Sequence, residues 1–315
     1  MIPGGAVAGI DIGGTKTAGA LVSPEGVVLA RAERETPSRL GGDAMAETAA
    51  AVVADLTSAG IAAAAVGVGA AGVVDQLTGT IRAASDTFVG WAGYPLGERL
   101  SERLDVPVRV ENDVNAFLLG ERAWGSADSD DALGMMLGTG VGGALLLGGT
   151  LWHGPHGAAG EIGHTPGYGA LPCTCGRSGH LETLASGTSI ARRYRVATGA
   201  EQVSARVIAA RARAGDEAAR RVFADAGRAV ALACVSAATL LDLPLAVVGG
   251  GVTSAWDLLQ PGLDEVLRDQ PPVSGIPLHV VPGALRSDAV VLGAAALVAD
   301  LLSVPTESEL VRDSR

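Results

Sequence analysis

Apolar and polar positions along the chain fall into short strand-like runs alternating with helical ones. The opening reads as a strand from about Val7 to Ile12, a glycine turn, then strands at Thr17–Val22 and Val27–Glu33 joined by Ser23-Pro24-Glu25-Gly26, a four-residue turn signal. From Asp43 to Ala59 apolar residues recur at helical spacing, and Gly60 stands where a C-cap is wanted. A buried strand is predicted at Ala64–Gly69, a helix at Leu96–Leu104, and a strand at Pro107–Val110 running into a Glu111-Asn112-Asp113 turn and a helix through Arg122. The opening pattern then recurs: Ala132–Leu137, a Gly138–Gly143 turn, and Ala144–Leu147. Helices follow at about Ser204–Ala214, Asp216–Leu241 and from Ser254, with strands at Leu245–Val248 and near Leu278–Val281. A last helix spans Asp288–Leu302, ahead of a polar, frayed tail from Pro305. The repeated strand–turn–strand unit predicts an α/β protein of two duplicated halves facing each other across a cleft, each lending one glycine-rich turn to a ligand. No low-complexity linker separates them, so a hinge is expected near residue 117. The smaller domain is 1–116 with a C-terminal helix at about 288–303, and the larger is 117–287.

Composition narrows the class. At 315 residues the chain can bury a core in each of two domains. No apolar run approaches the ~18 residues of a membrane span. The N-terminus has no basic segment, and Asp11 interrupts the stretch a secretory signal would need, so a cytoplasmic protein with no membrane partner is expected. The net charge of −11, with Lys16 the sole lysine, argues against nucleic acid as a partner. It leaves room for local phosphate binding, which needs only amides and a cation.

Asp11-Ile12-Gly13-Gly14-Thr15-Lys16 lies between two strands. Its glycines let the backbone approach a phosphate, and Thr15 and Lys16 add a hydroxyl and a charge. It is not a Walker A loop, which needs Gly-Lys-Ser/Thr opening a helix. Gly67, Gly69 and Gly72, and again Gly138, Gly140 and Gly143, match the dinucleotide spacing. Both run into strand-like sequence instead of a helix, which excludes a nicotinamide or flavin site. Asp113 beside Asn112 and Glu111 suits a polyol: amide and carboxylate can share neighbouring hydroxyls, and the carboxylate can take a proton. The bland alternative for Asp113 is a helix cap. Further on, His164, Cys173, Cys175 and His180 fall within seventeen residues, a set that fits a closed, tetrahedral, structural Zn²⁺ site. That site would brace the loop carrying Glu161 and Glu182. If His164 gives one nitrogen to zinc, its other nitrogen is oriented for a second partner. His153, His156 and His279 read as loop residues and Cys234 as a small core residue.

Taken together these residues resemble the ROK family of sugar kinases (repressors, open reading frames, kinases), close to its bacterial glucokinases, over almost the whole length. The resemblance rests on residues 11–16, Glu111-Asn112-Asp113, Leu137–Gly143, Glu161-x-Gly163-His164, the Cys173-x-Cys175-Gly176 knuckle and Val248-Gly249-Gly250-Gly251. It implies an actin-like ATPase (ribonuclease H-like) fold, two α/β domains closing on ATP and a small-molecule sugar, and phosphorylation at the 6-hydroxyl. It implies Asp113 as the base. Gly72, Thr87, Asn112, Glu161, His164 and Glu182 would lie around the sugar. Asp11, Gly13, Gly14, Thr15 and Lys16, with Gly138, Thr139 and Gly140, would hold phosphates with Mg²⁺ near Asp11. Gly249, Gly250 and Gly251 would lie against adenosine. A homodimer is implied, and the phosphate motif at residue 11 leaves no room for the repressors' N-terminal helix-turn-helix. Three positions depart from the family pattern: His180 replaces a third knuckle Cys, Ala71-Gly72 replaces Pro-Gly, and Ser85-Asp86-Thr87 replaces a segment that usually offers Asn to the sugar. Glucose leads the substrate expectations, followed by N-acetylglucosamine, N-acetylmannosamine and mannose. ATP is the expected donor with polyphosphate left open. A non-catalytic sugar-binding regulator and an acetate-kinase-like phosphotransferase are the competing readings.

Overall fold

The computed structural model describes residues 5–299. In chain order the elements are β1 (Val7–Ile12), β2 (Lys16–Val22), β3 (Val28–Glu35), α1 (Gly42–Thr57), β4 (Val66–Ala70), β5 (Val73–Asp75), β6 (Thr80–Ala83), α2 (Leu96–Leu104), β7 (Val108–Asn112) and α3 (Asp113–Trp124). Then follow β8 (Ala132–Leu137), β9 (Val141–Leu147), β10 (Thr150–Leu151), α4 (Glu182–Ala185), α5 (Gly187–Thr198), α6 (Ala205–Arg213), α7 (Glu217–Leu241), β11 (Leu245–Gly249), α8 (Trp256–Asp269), β12 (His279–Pro282) and α9 (Ala289–Leu297). The chain divides into two compact units, one running to Trp124 and resuming at Asp288, the other Gly125–Ser287.

The first unit holds a sheet in the order β3-β2-β1-β4-β7 and a small β5–β6 hairpin. Strands β1, β2 and β3 are antiparallel neighbours, while β4 and β7 add in parallel with Asp11 opposite Gly69 and Gly69 opposite Glu111. The second unit repeats this plan as β10-β9-β8-β11-β12, again antiparallel in the first three strands and parallel in the last two. The duplication expected from the recurring strand–turn–strand sequence is therefore a duplication of topology. Strands buried on both faces, such as β1 and β4, are nearly continuous apolar runs, as a helix-covered parallel region requires.

Glycine sets how closely the covering helices lie. Cβ atoms on Gly9 and Gly67 would overlap the Val291 and Ala294 carbonyls of α9, so α9 rests backbone-to-backbone on β1 and β4. A Cβ on Gly293 would overlap the Ala116 carbonyl, and one on Gly120 the Ala289 carbonyl, so α3 and α9 cross through paired glycines. The second unit uses the same device where α7 crosses α8 at Gly227 and Gly262. Gly67, Gly69 and Gly72 are thereby explained without a dinucleotide: the first two admit α9 and α3, and the third takes φ 112° beside the Ala83 carbonyl.

Three expectations are corrected. The boundary lies after Trp124 and not near residue 117, because the Gly120–Gly293 crossing binds all of α3 to the first unit. Glu111 and Asn112 belong to β7 and not to a turn, since β7 pairs with β4 through Asn112. Helix α5 at Gly187–Thr198 was not anticipated. Ser186 caps it by accepting from the Ser189 N–H, but its apolar positions are interrupted by Arg192, Arg193 and Arg195. The predicted helix and tail beyond residue 299 lie outside the described residues. Among the described helices, α7 alone is long and apolar enough to cross a membrane, and its Val222, Phe223, Ala226 and Val230 are buried in the second unit's core.

Gly293→Ala forces a methyl into the Ala116 carbonyl, and the strain cannot be relieved by a flexible side chain. It should destabilise the protein by about 3 kcal/mol, the upper end of overpacking costs, measured by urea unfolding.

Candidate active site

In the first unit the chemistry collects at the carboxyl ends of β1, β4 and β7, where open α/β sheets bind ligands. The Gly13 N–H donates to the Lys16 carbonyl at 3.0 Å and closes the β1–β2 hairpin. That leaves the N–H groups of Gly14 and Thr15 without a partner among the described residues, free to face an anion. Lys16 is exposed and paired with Glu33 at 2.8 Å. Asp11, next to last in β1, still reaches solvent with part of its side chain. Burial of its carboxylate and the neighbouring negative charge of Asp113 push its pKa up to about 7, against a smaller opposing pull from Lys16.

Asn112 and Asp113 are built into one another. The Asn112 Oδ1 accepts from the N–H groups of Val114 and Asn115 at 2.8 and 3.2 Å, capping α3. Its amide donates to the Gly72 carbonyl at 2.9 Å and to Asp113 Oδ1 at 3.0 Å, and the Val114 N–H donates to the same Oδ1 at 3.0 Å. Asn112, expected as a sugar ligand, thus has both amide protons and its oxygen hydrogen-bonded within the protein, one of the protons to Asp113. Buried Glu111 accepts from the Asn112 N–H and the Asn115 side-chain amide, each at 2.8 Å. Asn115 is a buried partner that no sequence signal marked beyond its place one turn into the helix.

The segment expected at the sugar runs beside the phosphate turn. Carbons of Thr87 and Phe88 would lie 3.6 Å from a Cβ on Gly14. Buried Trp91 donates its indole N–H to the Ala71 carbonyl at 3.0 Å. Gly72, Asn112 and Asp113 thus share one neighbourhood within this unit, and Thr87 lies against Gly14.

In the second unit the matching turn, Gly138-Thr139-Gly140, closes by a Gly138 N–H to Gly140 carbonyl bond at 3.0 Å. The Thr139 and Gly140 N–H groups have no partner among the described residues. Gly138, Thr139 and Gly251 line a pocket of about 720 Å³ together with Gly187 and Thr188 at the start of α5. Gly249 and Gly250 do not line it. Gly249 completes β11, and Gly250, at φ 87°, packs against the backbone of Leu137. Gly187 and Thr188 are functional candidates that sequence reasoning missed; the Ser186 cap was the available signal.

Glu182 is the second unit's linchpin. One carboxylate oxygen accepts from the Val141 N–H at 3.1 Å, just past the glycine turn; the other accepts from the Thr174 hydroxyl at 2.8 Å and the Cys173 thiol at 3.6 Å. Expected around the sugar, it ties the turn to the cysteine knuckle. Glu161 is exposed at the head of a short 3₁₀ turn, Ile162–His164. A Cβ on Gly163 would overlap the Val141 carbonyl, which explains the glycine between Glu161 and His164.

The four sulfur and nitrogen donors do converge. His164, Cys173, Cys175 and His180 place one ligand atom each within 4.8 Å of one another. Cys173 Sγ lies 3.9 Å from His164 Nδ1, and Cys175 Sγ 3.3 Å from His180 Nδ1. Zinc bonds of about 2.0–2.3 Å in a tetrahedron demand donors roughly 3.3–3.8 Å apart, so the set fits with little adjustment. His180 occupies the fourth corner where the family pattern has Cys. Cys234, by contrast, is buried in the core, and burial pushes its thiol up to about 12.

Two units of one duplicated topology, each with a hairpin turn offering open amides, define the actin-like ATPase class. The sequence matches the ROK family over residues 7–301, and the chain belongs to that family. It is 32% identical to a glucokinase from Thermotoga maritima, the match covering 92% of this chain and 96% of that protein. It is 34% identical to an N-acetylmannosamine kinase from Escherichia fergusonii, covering 91% of this chain and 96% of the relative. Among solved structures, a ROK family glucokinase from Streptomyces griseus in complex with glucose and AMPPNP superposes with a TM-score of 0.81 at 32% identity, covering 93% of this chain and 99% of that one.

The raised pKa of Asp11 fixes the sign of a stability change. Between its ordinary value near 4 and about 7, the folded state holds a proton that the unfolded state has lost, so this residue makes stability fall as pH rises across that window. Asp11→Asn should flatten that part of the slope, read as urea midpoints from pH 5 to pH 8 without nucleotide or metal.

Proposed function

We propose that the protein is an ATP-dependent sugar kinase that phosphorylates the 6-hydroxyl of a hexose, with glucose the first candidate. The observation that carries this reading is the Asn112–Asp113 pair: a carboxylate at a helix start, oriented by a committed amide and electrostatically coupled to Asp11 beside a phosphate-type turn. Glucokinases of 32–36% identity support it. N-acetylmannosamine kinases among the relatives make that sugar the second candidate, because Thr87 and Asp86 stand where an Asn is usual. A hydroxyl in place of an amide changes which substituent leaves a buried group unpaired.

Asp113 takes the proton from the sugar hydroxyl as its oxygen bonds to the γ-phosphorus and the bond to the bridging oxygen breaks, releasing ADP. Such base help is worth roughly 10²–10⁴-fold. Positioning and charge neutralisation supply most of the rest. The open amides of Gly14 and Thr15, and of Thr139 and Gly140, hold phosphate oxygens, and the second unit's pocket takes the adenosine. Glu161 and His164 hold sugar hydroxyls. Mg²⁺ would be held at Asp11, where a carboxylate crowded by Asp113 suits a cation, and would neutralise charge on the phosphates. Zn²⁺ would be held by His164, Cys173, Cys175 and His180 in a structural role, since the protein fills all four corners. A reduced thiol pair of this kind suits the cytoplasm.

A coupled assay for sugar-phosphate formation over a hexose panel, with ATP and polyphosphate as donors, tests the reading; sugar binding without turnover for every pair would favour the regulator instead. Asp113→Asn should lower kcat by 10²–10⁴-fold, as roughly expected of a lost base, with little change in the sugar's KM. For the knuckle, elemental analysis should find one zinc per chain, lost in Cys175→Ser together with several degrees of Tm. Metal-free protein of undiminished Tm and activity would rule the zinc out.

A further inference from the structure

A second cavity, of about 510 Å³, lies in the second unit against the outer side of the knuckle. Its walls come from α5, α7 and the Leu171-Pro172 stretch that leads into Cys173. Val196, Ala218 and Val222 give it an apolar body, and Leu171 closes one side. Its charges are not balanced. Arg193 is neutralised by Asp225 at 2.6 Å, and Asp225 also takes a bond from Arg228 at 3.0 Å. Arg221 has no hydrogen bond or ion pair among the described residues, and Arg192 donates only to the Pro172 carbonyl, at 3.0 Å. Two cations without counter-ions therefore flank one apolar cavity in a chain whose net charge is −11. A cavity of this size, carbon-lined with a few polar groups, is of the kind that takes a small molecule. Guanidinium groups on two walls select an oxyanion.

The same two helices also wall the larger cavity. Gly187, Thr188 and Ala191 at the start of α5, and Phe223 of α7, face the 720 Å³ pocket, whereas Arg192 and Val196 of α5 and Arg221 and Val222 of α7 face the smaller one. The Gly187 N–H donates to the Gly138 carbonyl at 2.8 Å, so α5 is fastened to the glycine turn. A second connection runs from Pro172 into the knuckle, where the Thr174 hydroxyl donates to Glu182, which in turn holds the Val141 N–H. An anion that drew Arg192 off the Pro172 carbonyl would act on both.

We infer that this cavity is a regulatory site for a small amphiphilic oxyanion, an apolar body of one or two rings bearing a phosphate or carboxylate, bound by Arg192 and Arg221 and coupled to the larger cavity through α5. The coupling rests on the nucleotide reading of that cavity; the binding does not. The probes are 1-naphthyl phosphate and 1-naphthoate, which separate the two head groups, titrated calorimetrically into full-length protein saturated with a non-hydrolysable ATP analogue. At least one probe should bind one to one. Arg221→Glu should weaken it by about tenfold or more through loss and reversal of one charge, and Ala197→Trp, which fills the cavity from α5, should abolish it. No saturable binding to the wild-type protein, or affinities unchanged in both variants, overturns the site. The reciprocal arm titrates the ATP analogue with and without probe. The probe should shift the analogue's Kd at least about twofold in the wild-type protein and not in Ala197→Trp. Probe binding with no such shift overturns the coupling and leaves the sugar-kinase reading to its own assay.

Discussion

Backbone-to-backbone contact between helix and sheet is the constraint on which the first unit depends. Gly9 and Gly67 on adjacent parallel strands, and Gly120 and Gly293 on crossing helices, remove every Cβ that would hold α9 away. The consequence reaches the chemistry. Gly69 continues the same stripe, and a Cβ there would touch Val290 and Ala116 and approach the Asp113 Cα. With those side chains absent, α3 starts directly over the ends of β1 and β4, and its first residue, Asp113, comes close enough to Asp11 to raise that carboxyl's pKa. A bulkier stripe would move Asp113 away from the Gly13–Lys16 turn before altering any residue of either.

The second unit solves the equivalent problem with a carboxylate. Its glycine turn is held by Glu182, one oxygen on the turn and the other on the knuckle, so order in the knuckle becomes order in the turn. Zinc held by His164, Cys173, Cys175 and His180, as proposed, would stabilise the far end of a two-point clamp. The crossing of α7 over α8 through Gly227 and Gly262 repeats the device of the first unit, which is what duplication of a helix pair predicts.

Much of this was legible in the sequence because it is local or periodic. Strand–turn–strand recurrence at residues 7–22 and 132–147 identified two halves, and the four metal-type donors lie close enough along the chain for spacing to group them. What the sequence did not show was context. Asn112 next to Asp113 reads as two ligands for one polyol, and the spacing does not show that its oxygen caps α3 and its amide bonds Gly72 and Asp113. Helix α5 escaped notice because its arginines break the apolar stripe, their long side chains being accommodated by carbonyls and Asp225 that come from elsewhere in the chain. The Gly249–Gly251 run reads as one ligand surface, although only Gly251 reaches the pocket.

The sequence by itself determined most element types, the duplication, the family and the identity of the chemical groups, since hydrophobic period and motif spacing are properties of neighbouring residues. Tertiary structure decided which of those groups remain available. Whether an amide, a carboxylate or a guanidinium is spent or open depends on partners tens of residues away, as with Gly72 for Asn112, Val141 for Glu182 and Pro172 for Arg192. Hydrogen-bond capacity is finite, and only the folded chain shows where it has been used.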